Sequence, residues 1–321
     1  MSTSMDLQGK VLHAYVAVQH LAHGRPILEI ADEVGLSRFA VSRMVKRARE
    51  LGLVEVRSTL VDPIDVTVSA QIAAHFSLNS ALVVAVQGTE EEDLRSAIAA
   101  VAAKSLADSL EDGDILGVTP GRTMVQASRL VESLPMADVV QLTGVGNSRL
   151  EDGVEAVLNL GRATGGEMYP LYAPIFADER STATMLAHPS LQRTLQRFRR
   201  ITKAYLTIGG WPDSSLLAQQ VADYGDARLV EDAVAEIGLT LLDGDGRLID
   251  TLDGRMIGIS DEELRAIPRR VAVGGGVGKH DAVLSILRSG LADVVITDVD
   301  SAKYALEADG APEPAPEDDD S

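Results

Sequence analysis

The chain of 321 residues has no cysteine and few aromatic side chains, and what it lacks limits what it can do. Without cysteine it can form no disulfide, no thiolate-ligated zinc site and no thiol nucleophile. No apolar run approaches the roughly 18 residues of a membrane-spanning helix. The first ten residues, MSTSMDLQGK, lack the apolar core of a signal peptide. We therefore expect a soluble cytoplasmic protein of about two domains, with no membrane partner.

Positive charge is scarce in the chain as a whole but concentrated near its beginning. The formal net charge is −19, which by itself would repel nucleic acid. Residues 1–57 nevertheless hold 8 Lys/Arg against 6 Asp/Glu, and residues 34–49 hold five basic side chains and no acid. Because salt screens charges beyond about 10 Å, local composition decides what a surface attracts. Residues 34–49 are thus a candidate nucleic-acid-binding segment.

The spacing of apolar, capping and basic residues over 9–57 is typical of a helix-turn-helix unit. It predicts a helix over 9–23, a second that begins near Pro26 and ends at Gly35, and a third that begins after Ser37. The apolar positions of the third helix would face inward, which leaves its basic side chains toward a major groove. The alternative is an ordinary three-helix bundle with a solvated basic face. The predicted DNA contacts are Ser37, Arg38, Ser42, Arg43, Lys46 and Arg47.

After residue 57, short apolar runs alternate with segments of helical period. Because the runs are apolar on both faces and joined by helices, they favour a largely parallel sheet with helices on both sides. We predict an all-α domain over 1–57, in which 51–57 forms either a small wing or the exit from the bundle, and a Rossmann-like α/β domain over 58–310. The acidic, proline-rich residues 311–321 are predicted to be a disordered tail. The predicted strands are 81–86, 114–118, 138–144, 204–210, 238–243, 270–275 and 293–298.

The stretch RVAVGGGVGKHDAVLSILRSG predicts a strand, a glycine loop and a helix in succession. A nucleotide P-loop is excluded, since Val273 stands where its first glycine belongs and His280 where its hydroxyl belongs. The Rossmann dinucleotide pattern is also excluded, because Lys279 replaces its third glycine. Free N–H groups at a helix start still make an anion site, so the loop is predicted to hold an anion other than a known nucleotide.

A second strand-loop-helix junction, GDILGVTPGRTMVQASRLV, also carries a cation, Arg122. Ligands of parallel sheets bind beyond the carboxyl ends of the strands, so two such loops could hold one phosphate between them. The alternative is that both loops are tight strand-to-helix turns and both cations are solvated. The predicted anion contacts are Thr119, Gly121, Arg122, Thr123, Gly276, Gly278 and Lys279.

Taken together, these segments resemble the SorC family of bacterial sugar-responsive transcriptional regulators. EIADEVGLSRFAVSRMVKRARELGLVEV resembles the DNA-binding unit of that family. DGDILGVTPGRT, DGDGRLIDTLDGRMIGIS and DEELRAIPRRVAVGGGVGKHDAVLSILRSGLADVVITD follow its effector domain in order and spacing. The resemblance covers nearly the whole chain and is weakest over 144–165.

The resemblance implies an effector domain similar in fold to ribose-5-phosphate isomerase and glucosamine-6-phosphate deaminase, which binds phosphorylated sugars. It implies that 121–123 and Lys279 contact the phosphate, and that Glu236, just before the 238–243 strand, faces sugar hydroxyls. It further implies operator DNA as a partner and a homodimer or homotetramer. No cofactor is implied, and the histidines and acids show no spacing typical of metal ligands.

Three functions compete at this point. The first is a DNA-binding regulator whose operator affinity or assembly responds to a sugar phosphate. The second is an isomerase- or deaminase-like enzyme on the same fold, in which Glu236 or Asp243 would be the general base. The third is a DNA-binding scaffold without a ligand. The basic helix-turn-helix pattern argues against the enzyme, and the two anion loops argue against the bare scaffold.

Overall fold

The computed structural model describes residues 6–54, 64–86, 90–146 and 150–311. The chain divides into two compact units, Met1–Leu60 and Val61–Ser321. Residues 55–57 of the possible wing, and the tail from residue 312 onward, lie outside the described residues. No helix in the described ranges is long and apolar enough to cross a membrane.

The first unit contains three helices, α1 (Leu7–Leu21), α2 (Ile27–Val34) and α3 (Arg38–Glu50). Gly35 ends α2 in the left-handed conformation at φ 69°, which a glycine adopts without steric cost. The Ser37 hydroxyl accepts a hydrogen bond from the Ala40 N–H at 3.2 Å and so caps α3. The predicted turn chemistry is confirmed at both residues. The three helices bury a common core of Val16, Ala17, Ile30, Ala31, Val41, Met44, Val45 and Ala48.

The second unit is built on a ten-stranded sheet. The strands are β1 (Ser80–Val84), β2 (Ile115–Val118), β3 (Asp138–Gln141), β4 (Met168–Tyr169), β5 (Lys203–Gly210), β6 (Ala235–Ile237), β7 (Thr240–Leu242), β8 (Leu248–Ile249), β9 (Arg269–Val273) and β10 (Val294–Asp298). Seven strands run parallel in the order β1-β10-β9-β5-β2-β3-β4, which confirms the predicted, largely parallel sheet.

Strands β6, β7 and β8 form an antiparallel extension from the end of β5. The strand predicted over 238–243 is found as β7, but it is shorter, and its antiparallel neighbour β6 was not predicted. Gly238, with φ 66°, and Leu239 form a two-residue connection, and the strand itself begins only at Thr240. Glu236 consequently lies within β6, not ahead of a strand.

Helices cover both faces of the sheet, as the apolar runs predict. The helices are α4 (Val66–His75), α5 (Glu91–Ser109), α6 (Arg122–Arg129), α7 (Leu150–Thr164), α8 (Glu179–Leu186), α9 (Pro189–Phe198), α10 (Ala218–Asp223), α11 (Asp261–Arg265), α12 (His280–Ser289) and α13 (Val299–Ala308). Consecutive residues of β10 belong to opposite cores: Val295 packs with α4, α12 and α13, whereas Val294 and Ile296 pack with α5 and α6. A strand buried on both faces has to be apolar at every position, which explains the unbroken runs.

Candidate functional site

A cavity of about 410 Å³ lies where β2, β5 and β9 end. These three strands are neighbours, so the segments that follow them meet at one edge of the sheet. Of the residues predicted to bind an anion or a sugar, Gly121, Arg122, Thr123, Glu236 and Lys279 line the cavity. Thr119, Gly276 and Gly278 are not among its lining residues.

The α6 side of the cavity offers backbone N–H groups. Among the described residues, no side chain caps α6, whose N-cap residue is Gly121. The first-turn N–H groups are therefore available to a ligand. A Cβ on Gly121 would lie 2.6 Å from Thr207 Cγ2, so only glycine lets this loop approach β5 so closely. The Arg122 side chain is 59% exposed, with a guanidinium nitrogen 3.7 Å from Glu91 Oε1.

Thr119 joins two strands instead of lining the cavity. Its buried hydroxyl accepts a hydrogen bond from the Thr207 N–H at 2.7 Å and lies 2.9 Å from the Thr207 hydroxyl. The Thr207 hydroxyl in turn donates to the Pro120 carbonyl at 3.0 Å. Thr119 thereby fixes the position of the 119–121 loop on β5. Thr207, and not Thr119, lines the cavity.

The glycine loop already holds an anion that belongs to the protein. The Gly276 N–H donates to Asp298 Oδ2 at 2.8 Å, and Asp298 is 4% exposed. Asp298 also caps α13 through Ser301. A Cβ on Gly275 would lie 2.0 Å from the same carboxylate oxygen, so the backbone can pass Asp298 only as glycine. The loop's glycines thus serve close packing, and its contribution to the cavity comes from Gly275 and Lys279.

Lys279 brings a half-buried ammonium group to the cavity. Its Nζ donates a hydrogen bond to the Ile208 carbonyl at 2.7 Å. Burial, together with the charges of Arg122 and Arg95, lowers the pKa of Lys279 to about 8. An anionic ligand beside the ammonium would raise this pKa again.

Glu236 is the buried acid of the site, with 3% exposure. Its Oε2 accepts hydrogen bonds from the Ser215 hydroxyl and from the Leu216 N–H at 3.1 Å. Burial raises the pKa of Glu236 to about 7, although the Ser215 hydroxyl, two backbone N–H groups and the Lys279 charge oppose that shift. All hydrogen bonds that the described residues make to this carboxylate end on Oε2, so Oε1 is open to a ligand.

Arg95 lines the cavity and was not predicted from the sequence. Its side chain is only 13% exposed and forms ion pairs with Glu91, at 2.5 Å, and with Glu92. Arg95 follows a run of acids in the segment EEEDLR at the start of α5, where the sequence pattern indicates negative charge and hides a single cation. Asp213, Ser214 and Ser215 were also missed, although their position after β5 is a signal that could have found them. Within the described ranges, no group of three or more histidines and acids could hold a metal ion.

The first unit presents a basic, exposed face on α3. Val41, Met44, Val45 and Ala48 are buried, as the helical period predicts. The polar residues predicted to bind DNA all lie on the exposed side: Ser37, Arg38, Ser42, Arg43, Lys46 and Arg47. Arg47 forms an ion pair with Glu50 at 2.9 Å. The Arg38 guanidinium lies 4.8 Å from the centroid of the Phe39 ring.

A parallel sheet with cations, a helix start and a buried acid around one cavity is the architecture of a small-ligand-binding domain. Residues 64–307 match the family described as "Putative sugar-binding domain". The chain therefore belongs to the SorC family of sugar-binding transcriptional regulators.

Named relatives agree with this family. The chain is 26% identical over 318 residues to the uncharacterized transcriptional regulator YjhU of Escherichia coli, which covers 95% of this chain and 96% of that protein. It is 26% identical to the deoxyribonucleoside regulator of Bacillus subtilis, over 86% of this chain and 90% of that one. The crystal structure of the full-length sorbitol operon regulator SorC from Klebsiella pneumoniae matches with a TM-score of 0.67 at 20% identity, over 93% of this chain and 99% of that one. At 20% identity, the match to this crystal structure shows a shared fold.

Proposed function

We propose that this chain is a transcriptional regulator whose α/β unit binds a phosphorylated sugar and whose α3 binds operator DNA. The observation that carries the proposal is the convergence of Arg122, Lys279 and the uncapped start of α6 on a cavity that also contains Glu236. The names of the relatives support a regulator of sugar-related genes. The ligands that these names mention are those of the relatives themselves.

The phosphate is expected to bind between α6 and Lys279. Backbone N–H groups of a helix start and a half-buried ammonium are donors that a phosphate dianion prefers, and partial burial strengthens the attraction. Glu236 Oε1 and the polar residues after β5 would then accept hydrogen bonds from sugar hydroxyls. A ligand with one phosphate and several hydroxyls fits this division of the cavity.

A thermal-shift experiment on the full chain tests the ligand. We compare matched pairs, ribose 5-phosphate with ribose and glucosamine 6-phosphate with glucosamine, alongside other phosphorylated pentoses and hexoses and inorganic phosphate. A ligand that binds only the folded state raises the melting temperature, so at least one phosphorylated sugar should raise it where its plain sugar does not. If no phosphorylated sugar stabilises the protein more than its plain partner, the phosphate assignment is wrong.

Operator binding is assigned to α3, whose exposed face carries Arg38, Arg43, Lys46 and Arg47. The first turns of a recognition helix lie deepest in the major groove, so Arg38 and Arg43 are the best candidates for base contacts. Loss of a base contact costs about 1–3 kcal/mol of binding free energy and relaxes specificity at one position. If Arg38→Ala and Arg43→Ala both bind operator as wild type does, α3 is not the recognition helix. Arg193→Ala, an exposed arginine of α9, is the matched control.

The regulator is expected to act as a dimer or tetramer. One helix-turn-helix contacts only a few base pairs, so specificity requires two half-sites about one helical turn apart or a multiple of it. Effector and DNA bind to different units, so the effector must change DNA affinity through the assembly or through the connection between the units. Sedimentation at micromolar concentration, with and without DNA, measures the assembly, and a monomer in both conditions would contradict it.

The second candidate function is a sugar-phosphate isomerase or deaminase, and one observation favours it. A buried carboxylate whose pKa lies near 7, as that of Glu236 does, suits a general base. Asp243, the other acid considered, does not line the cavity and accepts hydrogen bonds from the Asp245 and Arg247 N–H groups at 2.9 Å. Incubation with ribose 5-phosphate and glucosamine 6-phosphate decides between the two functions, because only an enzyme turns them over.

A further inference from the structure

Phe39 is a large apolar side chain in an unusual place. The chain has four phenylalanines; Phe176 and Phe198 are 2% exposed, Phe76 packs against a core, and Phe39 is 63% exposed. Phe39 is the second residue of α3 and, with Ser42, Arg43 and Lys46 at i+3, i+4 and i+7, lies on the polar face of that helix. An exposed aromatic ring contributes nothing to the core of its own unit, so its role is sought outside the chain.

The charges around Phe39 favour nucleic acid as the partner. Arg38, Arg43, Lys46, Arg47 and Arg49 are all exposed on the same helix, and α3 has only one acid, Glu50, in its last position. A protein partner would have to bury these cations together with the ring, whereas DNA pairs them with phosphates. In the major groove the one strongly apolar group on a base edge is the 5-methyl of thymine.

Resting on the proposed operator binding, we propose that Phe39 determines specificity by contacting the 5-methyl group of a thymine. The Arg38 guanidinium lies 4.8 Å from the ring centroid, within the range of a cation–π contact, so the two side chains lie side by side and can reach neighbouring base pairs, which are about 3.4 Å apart. Arg38 offers donors that suit guanine O6 and N7, and Phe39 offers an apolar surface that suits the adjacent thymine. The pair thus recognises a step of two base pairs with one thymine and one guanine.

Replacement of thymine by deoxyuridine tests this contact, since it removes only the methyl group. A duplex is first selected from a randomised pool by the full-length wild-type protein. Each thymine of the selected duplex is then replaced in turn, and binding is measured for wild type, Phe39→Ala and Leu28→Ala. Leu28, on α2, is 62% exposed and is the matched control for loss of an exposed apolar side chain.

For wild type we expect one thymine whose replacement weakens binding about three- to fivefold, the effect of burying one methyl group. Phe39→Ala should weaken binding to the thymine duplex and lose that discrimination, whereas Leu28→Ala should keep it. An unchanged thermal melt confirms that Phe39→Ala folds.

The outcomes separate this inference from the function on which it rests. If the wild type selects a duplex but Phe39→Ala shows the same thymine discrimination, the contact is wrong and operator binding stands. If Phe39→Ala instead changes the sedimentation coefficient with discrimination intact, Phe39 belongs to a subunit interface and the inference is also wrong. If no duplex is selected at all, operator binding fails and the inference fails with it.

Discussion

The two loops that the sequence presents as equivalents, 119–123 and 274–279, contribute different groups to the cavity. The loop before α6 offers backbone N–H groups and an exposed arginine. The glycine loop has its Gly276 N–H occupied by Asp298 and offers one half-buried lysine. A glycine-rich strand-to-helix loop is thus no guarantee of free N–H groups, because a carboxylate from the next strand can occupy them.

This difference has an energetic consequence. A half-buried cation attracts an anion through a medium of lower polarity than water, whereas an exposed cation attracts it through water and salt. Lys279 is therefore expected to contribute more to phosphate affinity than Arg122, although the arginine offers a planar pair of donors and the lysine does not. Three measurements with the sugar phosphate found by thermal shift test that order.

The largest effect is expected from Lys279→Ala. Charge-assisted hydrogen bonds contribute about 1.5–3 kcal/mol, so affinity for the phosphorylated sugar should fall about 10- to 100-fold. Isothermal calorimetry gives the value, with Lys303→Ala, an exposed lysine of α13, as the control for loss of one positive charge. DNA binding without effector should be unchanged. Wild-type affinity in Lys279→Ala would assign the phosphate to another part of the cavity.

The second effect is a loss of affinity at alkaline pH. The pKa of Lys279 in the folded protein is lowered to about 8, so the ammonium is charged below that pH and neutral above it. A bound dianion favours the charged form, and affinity should accordingly fall about tenfold from about pH 7.5 to about pH 9. Glu236, with its pKa near 7, is already ionised over most of this range. Lys279→Arg should abolish the fall; if it persists in that variant, another group causes it.

The smallest effect is expected from Arg122→Ala. Its side chain is 59% exposed and near Glu91, so both water and a carboxylate weaken its attraction for phosphate. We expect about a three- to tenfold loss of affinity by calorimetry, against no loss in Arg193→Ala. A larger loss in Arg122→Ala than in Lys279→Ala would reverse the proposed order of the two loops.

The sequence predicts what local pattern controls. Val294, Val295 and Ile296 are apolar in a row because the sheet is covered on both faces, and Gly35 and Ser37 mark a turn by their own conformational preferences. The sequence does not predict what depends on distant partners. Asp298 reaches Gly276, and Arg95 reaches the cavity, only through the tertiary fold. Strand β6, which carries Glu236, was missed because it is three residues long, too short for a periodic signal.

The position of β10 between β1 and β9 determines when the sheet can be completed during synthesis on the ribosome. β1 pairs along its whole length with β10, which follows about 210 residues later in the chain. At about 5 to 20 residues per second, translation takes roughly 10 to 40 s to cover that distance. Among the described residues, the core partners of α1 to α3 lie within 6–54, so these helices can fold during this interval, whereas Val83 and Val84 of β1 lack their partner strand β10 until then. A ribosome that stalls before β10 therefore carries a folded first unit and an unfinished sheet edge.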